Sequence, residues 1–228
     1  MLTIKDLKVS YTDVPVLEGL SLELEARKIH GIVGLNGSGK TTLFNTIYGL
    51  IKPKKGTITW EGHAISRKQT SFLETQNYFY SNITGREYLQ LFPTDNPSFD
   101  LQAWESLLRL PLDELVDTYS TGMKKKLALL GILKLNKPML LLDEPFNGID
   151  LETSRIIKIL LEKLRDKNKT ILVSSHILET LTNTCDYIHF LENGQIKKSY
   201  GRNQLNQLEE DIFKNMEEEL KEKINKAI

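Results

Sequence analysis

The sequence predicts an α/β fold built on a parallel β-sheet with helices on both faces. Residues 138–143 and 170–174 are short, mainly apolar stretches of the kind that form buried strands. Between them, residues 151–165 place apolar side chains three or four positions apart, which is the spacing of an amphipathic helix. Buried strands that alternate with helices are typical of a parallel sheet, because each parallel connection needs a crossover.

The N-terminal part of the chain predicts a second, smaller β-structure. Apolar and polar residues alternate at 20–25, as in a half-buried strand, and residues 2–9 and 57–60 are further strand candidates. We expect these strands to form an antiparallel subdomain beside the parallel sheet. Near the other end of the chain, Asn193-Gly194 separates two apolar stretches and predicts a hairpin turn.

Residues from about 70 to 118 differ in composition from the rest of the chain. Three prolines divide this region into segments that predict short helices. Eight of the eighteen aromatic residues fall within it: Phe72, Tyr78, Phe79, Tyr80, Tyr88, Phe92, Phe99 and Trp104. We therefore expect a small, mostly α-helical subdomain, inserted into the α/β body at about 76–135.

The charge balance argues against a broad basic surface. Thirty Lys and Arg residues are matched by thirty Asp and Glu residues, so the formal net charge is zero. Proteins that bind nucleic acids usually carry an excess of basic residues, and we therefore expect no nucleic-acid partner. The single cysteine, Cys185, excludes an intrachain disulfide, which favours a reducing, cytosolic setting and a place for this side chain in the core.

The apolar runs are too short for a membrane span. Residues 127–133 and 139–142 are the longest, whereas a spanning helix needs about 20 apolar residues. The N-terminus also lacks the basic and apolar blocks of a secretory signal. We expect a chain that reaches a membrane only through a partner.

The C-terminal segment, residues 206–228, predicts a separate amphipathic helix. It is rich in Glu and Lys, and its apolar residues recur at helical spacing. These residues are Leu208, Ile212, Met216, Leu220 and Ile224. The expected organisation is one domain at 1–205, followed by a helix that docks on this domain or on a second subunit.

Residues 34–41 carry the strongest chemical signal. They fit the pattern G-x-x-x-x-G-K-[ST], follow the predicted strand at 29–33 and lead into a helix predicted at 42–50. Glycines let backbone N–H groups curl around phosphates, and the helix N-terminus adds the positive end of its dipole. The pattern predicts a P-loop NTPase body that binds ATP and Mg²⁺. The predicted nucleotide-binding residues of this segment are Gly34, Leu35, Asn36, Gly37, Ser38, Gly39, Lys40, Thr41 and Thr42.

Individual side chains of this segment have predicted roles. Lys40 would bind the β- and γ-phosphates, and the hydroxyl of Thr41 would ligate Mg²⁺. Two carboxylates, Asp143 and Glu144, follow the buried strand at 138–142, at the end where open α/β sheets bind ligands. We expect Asp143 to hold the metal and Glu144 to act as the general base for the attacking water.

Further segments resemble the ATP-binding subunits of ABC transporters, and the resemblance covers about residues 2–205. Residues 119–123, Tyr-Ser-Thr-Gly-Met, are similar to the family signature Leu-Ser-Gly-Gly-Gln. Asp143-Glu144-Pro145 matches the metal-carboxylate segment of the family. Residues 147–150 match the loop that crosses the dimer interface, and residues 174–176, Ser-Ser-His, match the segment of the switch histidine.

The resemblance implies roles for four more residues. Tyr11 would stack on the adenine, and His176 would contact the γ-phosphate during catalysis. Ser120 and Gly122 would bind the ATP held by the opposite subunit. The signature departs from the family at Thr121 and Met123, which puts the affinity of that half of the site in doubt but leaves the anion-binding helix N-terminus.

The glutamine that couples the metal to the helical subdomain in this family is not clearly matched. An alignment without gaps puts Thr75 at that position, and Gln76 follows one residue later. Either Gln76 shifts into place or the chain lacks this side chain. We assign Gln76 as the third metal ligand and keep Thr75 as the alternative.

The resemblance also implies the partners. ATP would be buried between two chains, so we expect a second copy of this chain or a related ATPase subunit. We further expect a separate integral membrane permease, of the exporter type, with this chain on the cytoplasmic face of the membrane. The alternatives are an ABC ATPase that acts on DNA or ribosomes, and a small-molecule kinase, which would not need Ser120, Gly122 or His176.

Overall fold

The computed structural model describes residues 1–93, 99–205, 207, 208, 210, 211, 221, 224 and 225. The strands are β1 (Leu2–Tyr11), β2 (Val14–Leu24), β3 (Ile29–Val33), β4 (Lys55–Trp60), β5 (His63–Ala64), β6 (Thr70–Leu73), β7 (Met139–Leu142), β8 (Thr170–Ser175), β9 (Tyr187–Glu192) and β10 (Gln195–Gly201). The α-helices are α1 (Lys40–Tyr48), α2 (Gly85–Gln90), α3 (Leu101–Leu108), α4 (Thr121–Lys134), α5 (Leu151–Asp166) and α6 (Leu178–Thr182). Short 3₁₀ turns lie at Val116–Thr118 and Arg202–Gln204.

The strands form two sheets, as the sequence predicts. Six strands make the central sheet in the order β10-β9-β3-β8-β7-β6, and every pair in it is parallel except β9–β10, which is the predicted hairpin. The other sheet is antiparallel, in the order β2-β1-β4-β5. The predicted α/β fold, with a parallel core, an antiparallel N-terminal part and helices between β6 and β7, is confirmed.

Strand β6 is not predicted by the sequence. Residues 70–73, at the start of the aromatic-rich region and before the predicted insert, form this strand at the edge of the central sheet. This strand has only four residues, and two of them, Thr70 and Ser71, are polar. A stretch this short and mixed gives no period-2 or continuous apolar signal, so pairing with β7 decides its structure.

The central sheet separates two hydrophobic cores. Alternate residues of β7 enter opposite cores: Leu140 and Leu142 pack with the apolar residues of α4 and α5, whereas Met139 and Leu141 pack with α1 and the antiparallel sheet. Cys185 is buried in the first core, and burial raises the pKa of its thiol, which keeps it protonated and unreactive. Burial on both faces explains why the parallel strands are continuously apolar.

The predicted C-terminal helix lies mostly outside the described residues, including its apolar positions Ile212, Met216 and Leu220. Of the described positions, Leu208 is buried in the first core and Ile224 is exposed. Within the described part of the chain, no helix is both long and apolar enough to span a bilayer.

A pair of buried histidines joins β3 to β9. His30 Nε2 lies 2.9 Å from the carbonyl of Glu25, which can only accept a hydrogen bond, so this nitrogen carries the proton. In the neutral ring, His30 Nδ1 then accepts from Nε2 of His189, at 3.2 Å. His189 Nδ1 in turn accepts from the hydroxyl of Ser199, at 2.7 Å. A proton added at His189 Nδ1 would reverse the hydrogen bond with Ser199, whose hydroxyl can also accept, and would place a positive charge on a buried ring.

This pair predicts loss of stability in mild acid. Burial lowers the pKa of His189 to about 3, and a smaller contribution comes from His30, whose own pKa burial also lowers. The unfolded chain therefore binds more protons below about pH 6.5, and His189 alone removes about 2 kcal/mol from the free energy of unfolding between pH 6.5 and pH 5. Urea unfolding at both pH values measures this difference. It should shrink in His189→Gln and persist in a control at the exposed His63, His63→Gln; an equal pH dependence in both variants would contradict the assignment.

Candidate functional site

The glycine-rich loop connects β3 to α1. Gly37 and Gly39 have φ angles of +83° and +106°, in the left-handed region that favours glycine. A Cβ atom on Gly34 would lie 2.3 Å from the carbonyl oxygen of Leu191, so only glycine fits there. Helix α1 begins at Lys40 without a side-chain cap, which leaves its first backbone N–H groups available to an anion.

Lys40 lies across this loop. Its Nζ atom donates to the carbonyls of Gly34, at 2.7 Å, and Leu35, at 3.2 Å, and lies 4.0 Å from a carboxylate oxygen of Glu144. Burial lowers the pKa of Lys40, and the charges of Glu144 and Asp143 oppose this shift. The ammonium group is thus held at the mouth of the loop, within reach of an anion bound there.

Asp143 is fully buried at the end of β7 and is surrounded by hydroxyl groups. Its Oδ2 atom accepts from Thr41 at 2.8 Å and from Thr75 at 2.7 Å, and its Oδ1 atom accepts from Ser174 at 2.5 Å. In the described part of the chain, no three His, Cys, Asp or Glu side chains cluster as a metal site. One carboxylate with neighbouring hydroxyls suits Mg²⁺, which binds few protein ligands together with substrate phosphates and water.

Glu144 has a fixed and unusual backbone conformation. Its φ angle is +51°, which is uncommon for a residue other than glycine, and its N–H donates to Ser174 at 2.9 Å. Its carboxylate lies 3.0 Å from Nδ1 of His176 and faces Lys40. The side chain is 11% exposed, so it meets solvent only at the cavity. A carboxylate in this position can accept a proton from a water molecule in the cavity.

These residues meet because four neighbouring strands end at one edge of the sheet. The glycine-rich loop follows β3, His176 follows β8, the two carboxylates follow β7, and Thr75 follows β6. They surround a cavity of about 600 Å³. Its lining comprises Val16, Asn36, Gly37, Gly39, Lys40, Thr41, Thr42, Thr75, Glu144, Asn147 and His176. Ligands bind at such carboxyl ends in open α/β sheets.

Some predicted site residues lie at the margin or outside this cavity. Tyr11 is half-exposed, with its hydroxyl 3.5 Å from that of Thr42, at the rim of the loop. Ser120 caps α4 by accepting from the N–H of Met123, at 3.2 Å, and Gly122 lies against the carbonyl of Gly148. Neither Ser120 nor Gly122 lines the cavity within one subunit.

The geometry disagrees with Gln76 as a metal ligand. The side chain that donates to Asp143 is Thr75, whereas Gln76 lines a neighbouring cavity, together with Phe79, Thr121 and Thr75 itself. Thr75, two residues past the end of β6, faces the carboxylate that follows β7. The structure therefore favours the alternative, Thr75, for the position beside Asp143.

Sequence reasoning also overlooked two buried polar residues at the site. Ser174 joins Asp143 to the backbone of Glu144, and its signal was available: a serine at the end of an apolar strand, before His176. Lys125 donates to the carbonyls of Glu144 and Asn147. It stands within a run of three lysines, and nothing in that run distinguishes it.

The fold and the glycine-rich loop define a P-loop nucleotide-binding protein, and comparisons with known proteins give the family. The model of the ABC transporter family matches residues 17–147, more than half of the chain. EcsA of Bacillus subtilis, an ABC-type transporter ATP-binding protein, is 31% identical to this chain over 232 residues. The alignment covers 93% of this chain and 90% of EcsA. The cobalt import ATP-binding protein CbiO of Salmonella paratyphi A is 32% identical to this chain. The alignment covers 86% of this chain and 79% of CbiO. The chain belongs to the ABC transporter family and is one of its ATP-binding proteins.

Solved structures agree with this family. An ATP-binding subunit of an ABC transporter is 29% identical, has a TM-score of 0.78, and covers 88% of this chain and 90% of its own. A dimeric ATP-binding cassette in a post-hydrolysis state, with ADP and phosphate bound, has a TM-score of 0.79 and is 21% identical to this chain. The superposition covers 89% of this chain and 99% of that structure's chain. At that identity the second likeness supports the fold alone.

Proposed function

We propose that this chain binds MgATP at residues 34–42 and hydrolyses it to drive a separate membrane permease, as one half of an ATP-dependent dimer. The observation that carries the proposal is the convergence of Lys40, Glu144 and His176 on one cavity, with Asp143 buried behind the hydroxyl of Thr41. In this proposal residues 1–205 are the ATPase domain, the helical insert spans about 76–135, and the segment 206–228 is an appendage.

The side chains divide the work of hydrolysis. Backbone N–H groups of the glycine-rich loop and the ammonium group of Lys40 hold the phosphates in place. Thr41 and Asp143 would hold Mg²⁺, which neutralises phosphate charge when bound. Glu144 orients the attacking water and accepts its proton. His176 contacts the Glu144 carboxylate and lines the same cavity, where it would contact the γ-phosphate, and Tyr11 at the rim of the loop would stack on the adenine.

Replacement of Thr75 tests the reassignment from Gln76. In Thr75→Val the carboxylate of Asp143 loses one of its hydroxyl donors, so its orientation toward Mg²⁺ is less fixed. We expect the Mg²⁺ concentration for half-maximal ATP hydrolysis to rise roughly three- to tenfold, the range of one hydrogen bond. The matched variant, Gln76→Ala, should leave it unchanged. A magnesium titration of both variants decides the assignment. A rise in the half-maximal Mg²⁺ concentration in Gln76→Ala alone would restore Gln76 as the predicted metal ligand.

Two defective variants test whether subunits complete each other's sites. Ser120 and Gly122 do not line the cavity of their own subunit, which is expected if they serve the partner's ATP. Lys40→Ala removes one half of a site and Ser120→Arg blocks the other, so each variant alone should hydrolyse ATP very slowly. An equimolar mixture should recover up to about a quarter of the normal rate, because half of the dimers are mixed and each holds one intact site. A mixture no faster than its components would contradict a shared site.

The helical region offers a surface for the permease. Tyr78 and Tyr80 are 75% and 54% exposed and stack edge to face at 5.2 Å between ring centroids. Exposed aromatic pairs of this kind are common in protein interfaces. We propose that the permease binds here and holds the chain at the cytoplasmic face of the membrane; the exporter type stays a prediction.

Affinity purification from detergent-solubilised membranes should recover an integral membrane protein with the native chain and less of it with Tyr78→Ser/Tyr80→Ser. Recovery of ribosomes or DNA instead would favour the alternative class of ABC ATPase.

A further inference from the structure

Lys125 on α4 is a buried lysine whose hydrogen bonds all go to one loop. It is 8% exposed, and its Nζ atom donates to the carbonyl of Glu144 at 2.5 Å and to that of Asn147 at 3.2 Å. Burial lowers the pKa of this ammonium group, and the charges of Glu144 and Asp143 oppose the shift. Lysine is rarely buried unless its charge is compensated, so its donors must satisfy a specific need at this place.

The group that needs these donors is the backbone of Glu144, which has an unfavourable conformation. A φ angle of +51° is unfavourable for a residue other than glycine and persists only where neighbouring groups hold it. Three groups hold it here: Ser174 accepts from the N–H of Glu144, and the carbonyl of Glu144 accepts from Lys125 and from the N–H of Asn147. With both ends of the residue fixed, the Glu144 side chain is directed toward His176 and Lys40.

The same loop makes further contacts with the start of α4. A Cβ atom on Gly122 would lie 3.2 Å from the carbonyl of Gly148, so the two segments pack closely there. Lys126 Nζ lies 3.8 Å from a carboxylate oxygen of Asp150. The first turns of α4, which begins after Ser120, and the loop at 144–150 are therefore connected at three points.

We propose that Lys125 is a positioning residue for Glu144: it ties the helix that begins at the signature segment to the carboxylate that activates water. Through it, the placement of α4 against a partner subunit sets the orientation of Glu144 in its own subunit. The inference rests on the proposed function, because it assumes that Glu144 is the general base.

Kinetics of Lys125→Met and of a matched control, Lys124→Met on the same helix, test this role. A small displacement of a catalytic group lowers kcat by about tenfold to a hundredfold, and we expect a loss of this size in Lys125→Met. The KM for MgATP and the affinity for a fluorescent ATP analogue should stay within about twofold, because the phosphate-binding loop is untouched. Lys124→Met should keep kcat. A normal kcat in Lys125→Met, or a fall equal to a loss of folded protein and of nucleotide binding, would overturn the inference.

The double variant separates this inference from the proposed function. If Lys125 acts through Glu144, adding Lys125→Met to Glu144→Gln should change the single-turnover rate by less than about twofold, because the group that it positions is already absent. A further loss as large as in the native background would show that Lys125 acts elsewhere and would overturn the inference. Normal turnover in Glu144→Gln alone would instead refute the part of the proposed function that makes Glu144 the general base. If Lys125→Met does not fold, Lys125→Gln, whose amide keeps one donor, should show a smaller kcat loss with the same non-additivity, and additivity there would likewise overturn the inference.

Discussion

Glu144→Gln is expected to lower the rate of ATP hydrolysis by about 10²- to 10⁴-fold, the range attributed to general acid–base catalysis. The amide keeps the size of the carboxylate and its position beside His176 but cannot accept a proton from water. The phosphate-binding loop and Lys40 are unchanged, so nucleotide binding should remain. Because the γ-phosphate then stays uncleaved, the two subunits should remain closed around ATP and elute as a dimer in size-exclusion chromatography with MgATP.

The chain offers a matched control in Glu61. Like Glu144 it has a φ angle of +51°, but it is exposed in the turn between β4 and β5, far in sequence from the site. Glu61→Gln should hydrolyse ATP at the native rate and remain monomeric after turnover. Phosphate release and chromatography are measured on both variants. Turnover within about tenfold of the native rate in Glu144→Gln would remove Glu144 from the role of general base.

The parts of the site that could be predicted are those that a local motif specifies. The glycine-rich loop needs only its own sequence and the adjacent strand and helix, so residues 34–41 were predicted with the correct surroundings. Asp143 and Glu144 were predicted for a similar reason, since an apolar strand that ends in carboxylates indicates the ligand-binding edge of an α/β sheet. The sequence could not show the strand order, which places β8 between β3 and β7 and so brings Ser174 against Asp143.

The parts that could not be predicted depend on tertiary contacts. Strand β6 has too few apolar residues to be predicted as a strand, and its end places Thr75 rather than Gln76 beside Asp143. A shift of one residue in a strand or the turn after it reverses the direction of the side chain, so alignment alone left this position open. Lys125 differs from Lys124 and Lys126 only in its burial, which follows from the packing of α4 on the loop at 144–150.

Lys40→Ala is expected to weaken ATP binding by roughly ten- to a hundredfold, as for the loss of a hydrogen bond to a charged group. Lys40 is 7% exposed, and its ammonium group is held over the glycine-rich loop by the carbonyls of Gly34 and Leu35. It is therefore already placed for the β- and γ-phosphates and loses little side-chain freedom when they bind. Its removal also leaves the carboxylate of Glu144, 4.0 Å away, without a cation to offset its repulsion of the phosphates.

Comparison of nucleotides makes this prediction specific to the terminal phosphates. If Lys40 contacts the β- and γ-phosphates, the loss of affinity should be large for MgATP and small for AMP, which lacks both groups. Displacement of a fluorescent nucleotide measures both affinities, and thermal unfolding without nucleotide establishes that the variant is folded. The exposed Lys52 beyond the end of α1 provides the control Lys52→Ala, which should bind both nucleotides normally. An equal loss of affinity for ATP and AMP in Lys40→Ala would mean that the loop itself had collapsed and that Lys40 supports its shape rather than binding phosphate.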